Sequence, residues 1–244
     1  MTRVLEWEGC LNVRDLGGVP LEGGAETAYG VIIRSDNVRR LRDLRTLERH
    51  GIARVVDLRF DAEVAYDAHR ELPVDVVHVP LMSFDPANRA RLEEQALTME
   101  AGDYLEWSYL HFLEEYRDNF GLATRAIAQA PGPVCVHCMG GRDRTGLITA
   151  LLLRLAGASR EDVAEDYWLS EDALRENHAQ WIAEAPSERE VKLRSVFSIA
   201  PRETMVRVLE TLEQRHGSVR GYLCAAGVPE DELDALAARL RGDD

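Results

Sequence analysis

The sequence predicts an α/β protein with a mostly parallel central sheet flanked by helices and a helical layer at its C-terminal end. Two observations carry this prediction. Short β-branched segments alternate with segments of helical spacing in the first part of the chain, as in strands joined by crossover helices. The last sixty residues have helical spacing and no strand signal. No linker-like composition divides residues 1–244, so we expect a single domain.

Strands and helices are predicted to alternate over the first eighty residues. Strands are expected at 31–33, 53–58 and 74–80, and helices from Leu41 to the stop at Gly51 and over 61–71. The segment 82–103 is polar and lies between a strand and a helix. It indicates either a mobile flap or a short helical excursion.

The second half of the chain has one strong strand signal among helices. A long helix is expected over 104–130, with Gly121 as a candidate break, followed by a strand over 134–137. The segment 147–156 is apolar nearly all round, which is typical of a buried helix. Ser159 and Asp162 resemble a capping box that opens the next helix. Later breaks are expected at Pro201, Gly217 and 227–229.

Composition excludes several classes of protein. The 244 residues include 29 Lys and Arg against 43 Asp and Glu, a net charge of −14, and 45% are hydrophobic. This balance argues against disorder, nucleic-acid binding and association with anionic membranes. No apolar run approaches the ~20 residues of a membrane span, and no signal peptide is evident, so we expect no stable membrane insertion. Four cysteines in a chain of this length indicate a reduced, cytoplasmic protein.

The segment 137–146, His-Cys-Met-Gly-Gly-Arg-Asp-Arg-Thr-Gly, carries the strongest chemical signal. A strand leads into it and a buried helix follows, the arrangement in which backbone N–H groups and the helix dipole bind phosphate. The Walker pattern is absent. Instead, five residues separate Cys138 from Arg144, so a loop around one phosphoryl group would place the sulfur below phosphorus. The planar fork of Arg144 could hold two of its oxygens. The predicted phosphate-binding residues are Met139, Gly140, Gly141, Arg142, Asp143 and Arg144.

On these residues the chain resembles the cysteine-dependent protein tyrosine phosphatases with the Cys-x5-Arg signature. It is most similar to a bacterial tyrosine and dual-specificity branch whose loop reads His-Cys-x-x-Gly-Lys-Asp-Arg-Thr-Gly. Segments elsewhere agree with that branch, at 12–18, 34–35, 51–52, 57–59, 166–170, 221–223 and 227–228. Two departures are Arg142, where the branch usually has Lys, and Met139, where phosphoinositide-selective relatives often place a cation.

The resemblance implies a reaction in two displacements. Cys138 attacks phosphorus to form a cysteinyl-phosphate, which water hydrolyses, while Arg144 holds the phosphoryl oxygens in both steps. Thr145 would hydrogen-bond the sulfur. His137 would either orient the loop or be a buried structural histidine. No metal and no cofactor is implied.

Three aspartates are candidates for the acid that protonates the leaving oxygen. Asp143 lies in the loop, and Asp85 follows a predicted strand where a mobile acid loop would lie. Asp143 is the favoured acid, although its carboxylate could instead pair with Arg142 or Arg144. Asp57 is weaker, because a strand-end pair with Arg59 accounts for it better.

Near the N-terminus, three residues resemble positions of the branch that lie close to the active site. They are Asn12, Arg14 and Asp15, which are expected to brace the loop, although a turn set by Gly17 and Gly18 would also explain them.

The sequence therefore predicts a phosphomonoester hydrolase, foremost a protein tyrosine or dual-specificity phosphatase. Its partners would be a phosphorylated protein, a phosphorylated peptide or a small phosphomonoester, with inorganic phosphate as product. The alternative is a phosphoinositide or inositol phosphate phosphatase with the same mechanism.

More remote alternatives come from other classes of protein. A thiol–disulfide protein could use Cys135 and Cys138, and a zinc site could add His137. A sulfurtransferase and a non-catalytic phosphate-binding module are further alternatives. A regulatory disulfide between Cys138 and a neighbouring thiol is a separate hypothesis.

Overall fold

A five-stranded sheet forms the centre of the computed structural model, which describes residues 3–67, 69–82 and 86–243. The strand order is β1-β2-β5-β3-β4, and every neighbouring pair is parallel except β1 with β2. The strands are β1 (Arg14–Asp15), β2 (Ile32–Ser35), β3 (Arg54–Asp57), β4 (Asp75–His78) and β5 (Val134–His137). The predicted mostly parallel sheet is confirmed. The two-residue strand β1 was too short for a sequence signal.

Helices supply the rest of the regular structure, and they confirm the C-terminal helical layer. They are α1 (Thr46–Arg49), α2 (Asp61–Tyr66), α3 (Pro86–Thr98), α4 (Ala101–Glu115), α5 (Arg117–Ala128), α6 (Asp143–Ala156), α7 (Arg160–Ala183), α8 (Glu188–Val196), α9 (Arg202–His216), α10 (Val219–Ala225) and α11 (Glu230–Arg241). A 3-10 turn spans Val38–Arg40. Ser159 caps α7 as expected, because its side chain accepts a hydrogen bond from the backbone of Asp162.

Apolar cores lie on both faces of the sheet, and β5 contributes to each. Val134 and Val136 belong to the larger core, which α3 to α11 cover. Cys135 belongs to a smaller core, whose other buried members lie within residues 7–55. Alternate strand residues point to opposite faces, so one strand supports both cores. We propose that residues 1–244 form a single domain, because the larger core draws residues from Leu16 to Leu240.

Two predicted helices differ from those observed. The expected helix over 104–130 is two helices, and it breaks at Tyr116 rather than Gly121. Gly121 instead permits close packing, since a Cβ there would lie 1.9 Å from the carbonyl oxygen of Ala226. The helix expected after Leu41 is reduced to α1, because the backbone of Arg42 donates to Glu8 and holds the chain out of helical geometry.

The predicted flap or helical excursion is largely helical where it is described. Residues 86–98 form α3 and α4 begins at Ala101, while residues 83–85 lie outside the described part of the chain. Asp85, the second candidate acid, is among them. The parallel strands place Ser35, Asp57 and His137 in one row at their carboxyl ends, where α/β proteins place their ligand sites.

Candidate active site

The loop after β5 has the conformation of an anion cradle. Cys138 follows the strand directly and is buried, and α6 begins at Asp143, so the loop ends at a helix N-terminus. Gly141 has φ +67, and a Cβ there would lie 2.6 Å from the backbone of Ser35 and Asp36. Only glycine fits this position without displacing the loop from the end of β2.

Hydrogen bonds hold three successive loop carbonyls from outside. The carbonyl of Met139 accepts from the backbone of Asn37 (3.2 Å), that of Gly140 from the Asn12 amide (3.1 Å), and that of Gly141 from Arg34 (2.7 Å). In a trans peptide the next N–H points away from the preceding carbonyl. The N–H groups of residues 140–142 therefore point inward, and within the described chain they have no hydrogen-bond partner.

Asp166 of α7 organises this outer support. Its carboxylate pairs with Arg34 (2.6 Å), Arg14 (3.0 Å) and Arg3. Burial acts to raise the pKa of Asp166, but the guanidinium groups outweigh burial and lower it. Because Arg34 also donates to Gly141, the carboxylate orients an arginine that holds the loop.

The predicted brace near the N-terminus is only partly at the loop. Asn12 contacts it directly, and Arg14 acts through Asn12, donating to its side-chain oxygen at 2.6 Å. Asp15 does not reach the loop. Its two side-chain oxygens accept hydrogen bonds from the backbone N–H groups of Gly17 and Gly30, both at 2.8 Å. Asp15 therefore stabilises the glycine turn, which was the competing interpretation.

An ion pair with a half-buried carboxylate anchors Arg144, and this partner was not predicted. The two terminal nitrogens of Arg144 lie 2.5 and 3.0 Å from the carboxylate of Glu63 on α2. The guanidinium carbon lies 4.1 Å from the centre of the Phe60 ring. Burial acts to lower the pKa of Arg144, but the charges of Cys138 and Glu63 raise it. The sequence signal for Glu63 was weak: an acidic residue four positions after the predicted strand-end Arg59.

Asp143 lies among hydrogen-bond donors at the start of α6. Arg142 pairs with both carboxylate oxygens (3.0 and 3.1 Å), and the Tyr109 hydroxyl donates to Oδ1. Tyr109 in turn meets the hydroxyl of Tyr167 at 2.8 Å. Burial acts to raise the pKa of Asp143, but Arg142 and the other donors lower it. Its side chain remains 35% exposed, so a substrate can reach it.

Asp57 is less suited to proton transfer. It is buried, and Arg59 contacts its carboxylate at 2.7 and 2.9 Å. Burial acts to raise its pKa, but the His137 ring and Arg59 lower it to about 2. Asp57 therefore forms the strand-end pair that competed with the acid role.

His137 and Thr145 flank the nucleophile from β5 and α6. One ring nitrogen of His137 lies 3.2 Å from the carbonyl of Cys138 and the other 3.5 Å from Asp57. Burial lowers the pKa of His137, although the charge of Asp57 acts to raise it. The Thr145 hydroxyl is buried without a hydrogen-bond partner among the described residues, so the expected bond to the sulfur is not formed.

The cradle opens into a cleft of about 590 Å³. Arg142, Asp143 and Arg144 line it together with apolar and aromatic side chains from α3, α4 and α8 and from the residues that flank α2 and α8. Among them are Phe60, Leu92, Tyr104, Leu105, Phe112, Leu193 and Phe197. The cleft therefore has apolar walls that could contact the ring of a phosphate ester, and a polar end that could hold its phosphoryl group.

The family model described as the Tyrosine phosphatase family matches residues 5–242. The chain belongs to this family. Two relatives can be aligned with most of the sequence of this phosphatase. A protein of Mycobacterium tuberculosis named triple specificity protein phosphatase PtpB is 28% identical, over 98% of this chain and 99% of its own. A tyrosine-protein phosphatase of Nostoc commune is 27% identical, over 85% of this chain and 73% of its own.

Among solved structures, that of TpbA from P. aeruginosa is 19% identical, with a TM-score of 0.33 over 71% of this chain and 90% of that one.

The structure also bears on the remote alternatives for this phosphatase. Cys135 and Cys138 belong to the cores on opposite faces of the sheet, which separates the two sulfurs of the Cys-x-x-Cys pattern. In the described part of the chain no group of three or more His, Cys, Asp or Glu side chains is arranged to hold a metal ion. Nor do the described residues include a helix long and apolar enough to cross a membrane.

Proposed function

We propose that this phosphatase hydrolyses phosphotyrosine in proteins or peptides, with Cys138 as the nucleophile. The observation that carries the proposal is the cleft, in which Phe60, Tyr104 and Phe112 line the same space as Arg142 and Arg144. An aryl phosphate would place its ring against these side chains and its phosphoryl group in the cradle. A short phosphoserine side chain would bury little of this apolar wall.

In the first step the sulfur of Cys138 attacks phosphorus. The S–P bond forms as the P–O bond to the tyrosyl oxygen breaks, and that oxygen takes a proton from a general acid. The inward N–H groups of residues 140–142 and the guanidinium of Arg144 hold the equatorial oxygens. Their positive charge balances the negative charge of the phosphoryl group within the loop, although the protein as a whole has a net charge of −14.

In the second step a water oxygen attacks the cysteinyl-phosphate. The P–O bond forms, the S–P bond breaks, and the water proton passes to the carboxylate that donated in the first step. Inorganic phosphate leaves and the thiolate is restored.

Asp143 is the general acid in this proposal. It lines the cleft next to Arg144, and its side chain is reachable from solvent. Arg142 holds the carboxylate ionised in the free protein. A phosphate dianion in the cradle brings a like charge beside it and favours the protonated acid.

We place this phosphatase in the cytoplasm, because a thiolate at Cys138 requires a reducing environment.

A phosphate-release panel with purified protein tests the function. Phosphotyrosyl, phosphoseryl and phosphothreonyl peptides of one sequence are compared with phosphoinositides and inositol phosphates. We expect the highest kcat/KM on phosphotyrosine and none in Cys138→Ser, which should still bind phosphate. Faster release from a phosphoinositide would favour the alternative substrate class, and turnover by Cys138→Ser would remove the proposed nucleophile.

A further inference from the structure

A second cavity of about 380 Å³ lies beside the catalytic cleft. Both are bounded by the same five residues, Met139, Gly140, Leu174, His178 and Trp181. A substrate whose phosphoryl group occupies the cradle can therefore reach this second cavity with a neighbouring group. We call it the acceptor cavity, because Asp36, His178 and Glu184 contribute hydrogen-bond acceptors to its lining.

Asp36 supplies a buried acceptor whose hydrogen bonding is incomplete. Its Oδ1 accepts from the backbone of Leu11 (3.0 Å) and Asn12 (3.1 Å), whereas its Oδ2 has no partner among the described residues. Asp36 is 1% exposed and lines the acceptor cavity. A buried carboxylate oxygen without a donor is costly, so a ligand that brings a donor gains what the free protein lacks.

His178 also acts as an acceptor on this wall. Its Nδ1 lies 3.1 Å from the carbonyl oxygen of Ser198. A carbonyl can only accept, so Nδ1 must donate. Burial lowers the pKa of His178, which leaves the ring neutral at pH 7 and Nε2 with a free lone pair.

Glu184 adds negative charge at the rim of the acceptor cavity. It caps the C-terminal end of α7, the negative end of the helix dipole. Its carboxylate accepts a hydrogen bond from Gln180, and no cation pairs with it in the described chain. Arg40 also lines the acceptor cavity; burial raises the pKa of Asp36, although the charge of Arg40 acts to lower it. Glu184 therefore provides an unpaired negative charge at this rim.

Apolar surface accompanies these acceptors. Leu11 is 49% exposed and Trp181 37% exposed, and both line the acceptor cavity. A side chain with a methylene stem and a cationic end matches this combination, because the stem covers apolar surface while the end donates hydrogen bonds.

We propose that the acceptor cavity binds an arginine or lysine side chain of the substrate, close in sequence to the phosphotyrosine. This inference rests on the proposed function and adds a sequence preference to it. Binding forms hydrogen bonds from the cationic end to Asp36, His178 and Glu184, and it acts on KM rather than on the chemical step.

Phosphotyrosyl peptides with a single variable position test the preference. Arginine, lysine and citrulline are placed in turn at each position within four residues of phosphotyrosine in an alanine-based peptide. Citrulline keeps the shape of arginine without its charge. We expect KM at one or more positions to be about fivefold lower for arginine than for citrulline, with similar kcat.

Variants of α7 identify the cavity as the cause. Glu184→Gln should lower the ratio of citrulline KM to arginine KM, and Glu184→Lys should lower this ratio below one. Glu176→Gln removes the same charge from α7 outside both cavities and should leave the ratio unchanged. Equal KM values for arginine and citrulline at every position, or an equal effect of Glu176→Gln, would overturn the inference.

Failure of the proposed function would look different. If no phosphotyrosyl peptide is hydrolysed while an aryl phosphate is, the substrate class is wrong. If all phosphotyrosyl peptides are hydrolysed with the same KM, the proposed function stands and only the ligand proposed for the acceptor cavity is wrong.

Discussion

At the residue scale, the pair of Arg144 and Glu63 decides how the phosphoryl group is held. A guanidinium group binds a phosphoryl group most tightly when its orientation is set before the ligand binds. Two charge-assisted bonds to Glu63 and the Phe60 ring set that orientation in the free protein. Glu63 is accordingly a positioning residue, acting through Arg144.

Glu63→Gln should lower kcat/KM on an aryl phosphate by about tenfold to a hundredfold. The amide loses the charge and one of two acceptors, which corresponds to about 1.5–3 kcal/mol for a charge-assisted bond. Inhibition by inorganic phosphate should weaken in parallel. Glu93→Gln is the matched control, because Glu93 lines the same cleft but pairs with Arg89 and Arg189. Equal losses in both variants would mean a general charge effect.

A second residue-scale prediction separates the candidate acids. Asp143→Asn should lower kcat by about a hundredfold or more on a phenyl phosphate with a poor leaving group, and by much less on an activated nitrophenyl ester. Steady-state rates over a series of aryl phosphates measure this slope. Asp85→Asn is compared in the same series. A steeper leaving-group dependence in Asp85→Asn than in Asp143→Asn would transfer the acid role to Asp85.

At the element scale, the loop depends on how closely it packs against the end of β2. Gly141→Ala should abolish activity and phosphate binding, because its Cβ would lie 2.6 Å from backbone atoms that cannot move aside. Gly140→Ala is the control: its Cβ would meet only a Leu174 side-chain carbon, at 4.0 Å. Assays and thermal unfolding of both variants check the prediction. An active Gly141→Ala protein would show that the loop is not held as described.

The elements also show what the sequence could predict. The strand, loop and helix around Cys138 are contiguous, so local spacing was sufficient to predict them. The partners of the loop, Arg34, Glu63, Tyr109 and Asp166, come from other elements, and their contacts depend on packing that no single segment encodes. The break of the long helix at Tyr116 was mispredicted for the same reason, because Gly121 is required by contact with α10.

At the scale of the whole molecule, Asp166 links distant parts of the chain. It joins the N-terminal segment, β2 and α7 through buried arginines. Asp166→Asn should lower the free energy of unfolding at pH 7 by about 3–5 kcal/mol, because it leaves buried guanidinium groups unpaired. Glu165→Gln, at the exposed pair with Arg202, should cost less than about 1 kcal/mol. Urea unfolding measures both, and equal losses would contradict the role of Asp166.

The same carboxylate makes stability depend on pH. The pKa of Asp166 is lower in the folded protein than in an unfolded chain, where it is about 3.9. Its contribution is complete above that value and is lost as pH falls through the folded pKa. Urea unfolding from pH 6 to pH 2 should show wild-type stability decreasing below about pH 4. A decrease just as steep in Asp166→Asn would assign the effect to other groups.

The placement of Glu63 on α2 has a kinetic consequence. This helix has six residues, none of them buried, so it opens locally at a small fraction of the cost of global unfolding. Each opening separates Glu63 from Arg144 while the core stays intact. The orientation of Arg144 therefore depends on a surface helix that can open without unfolding the core.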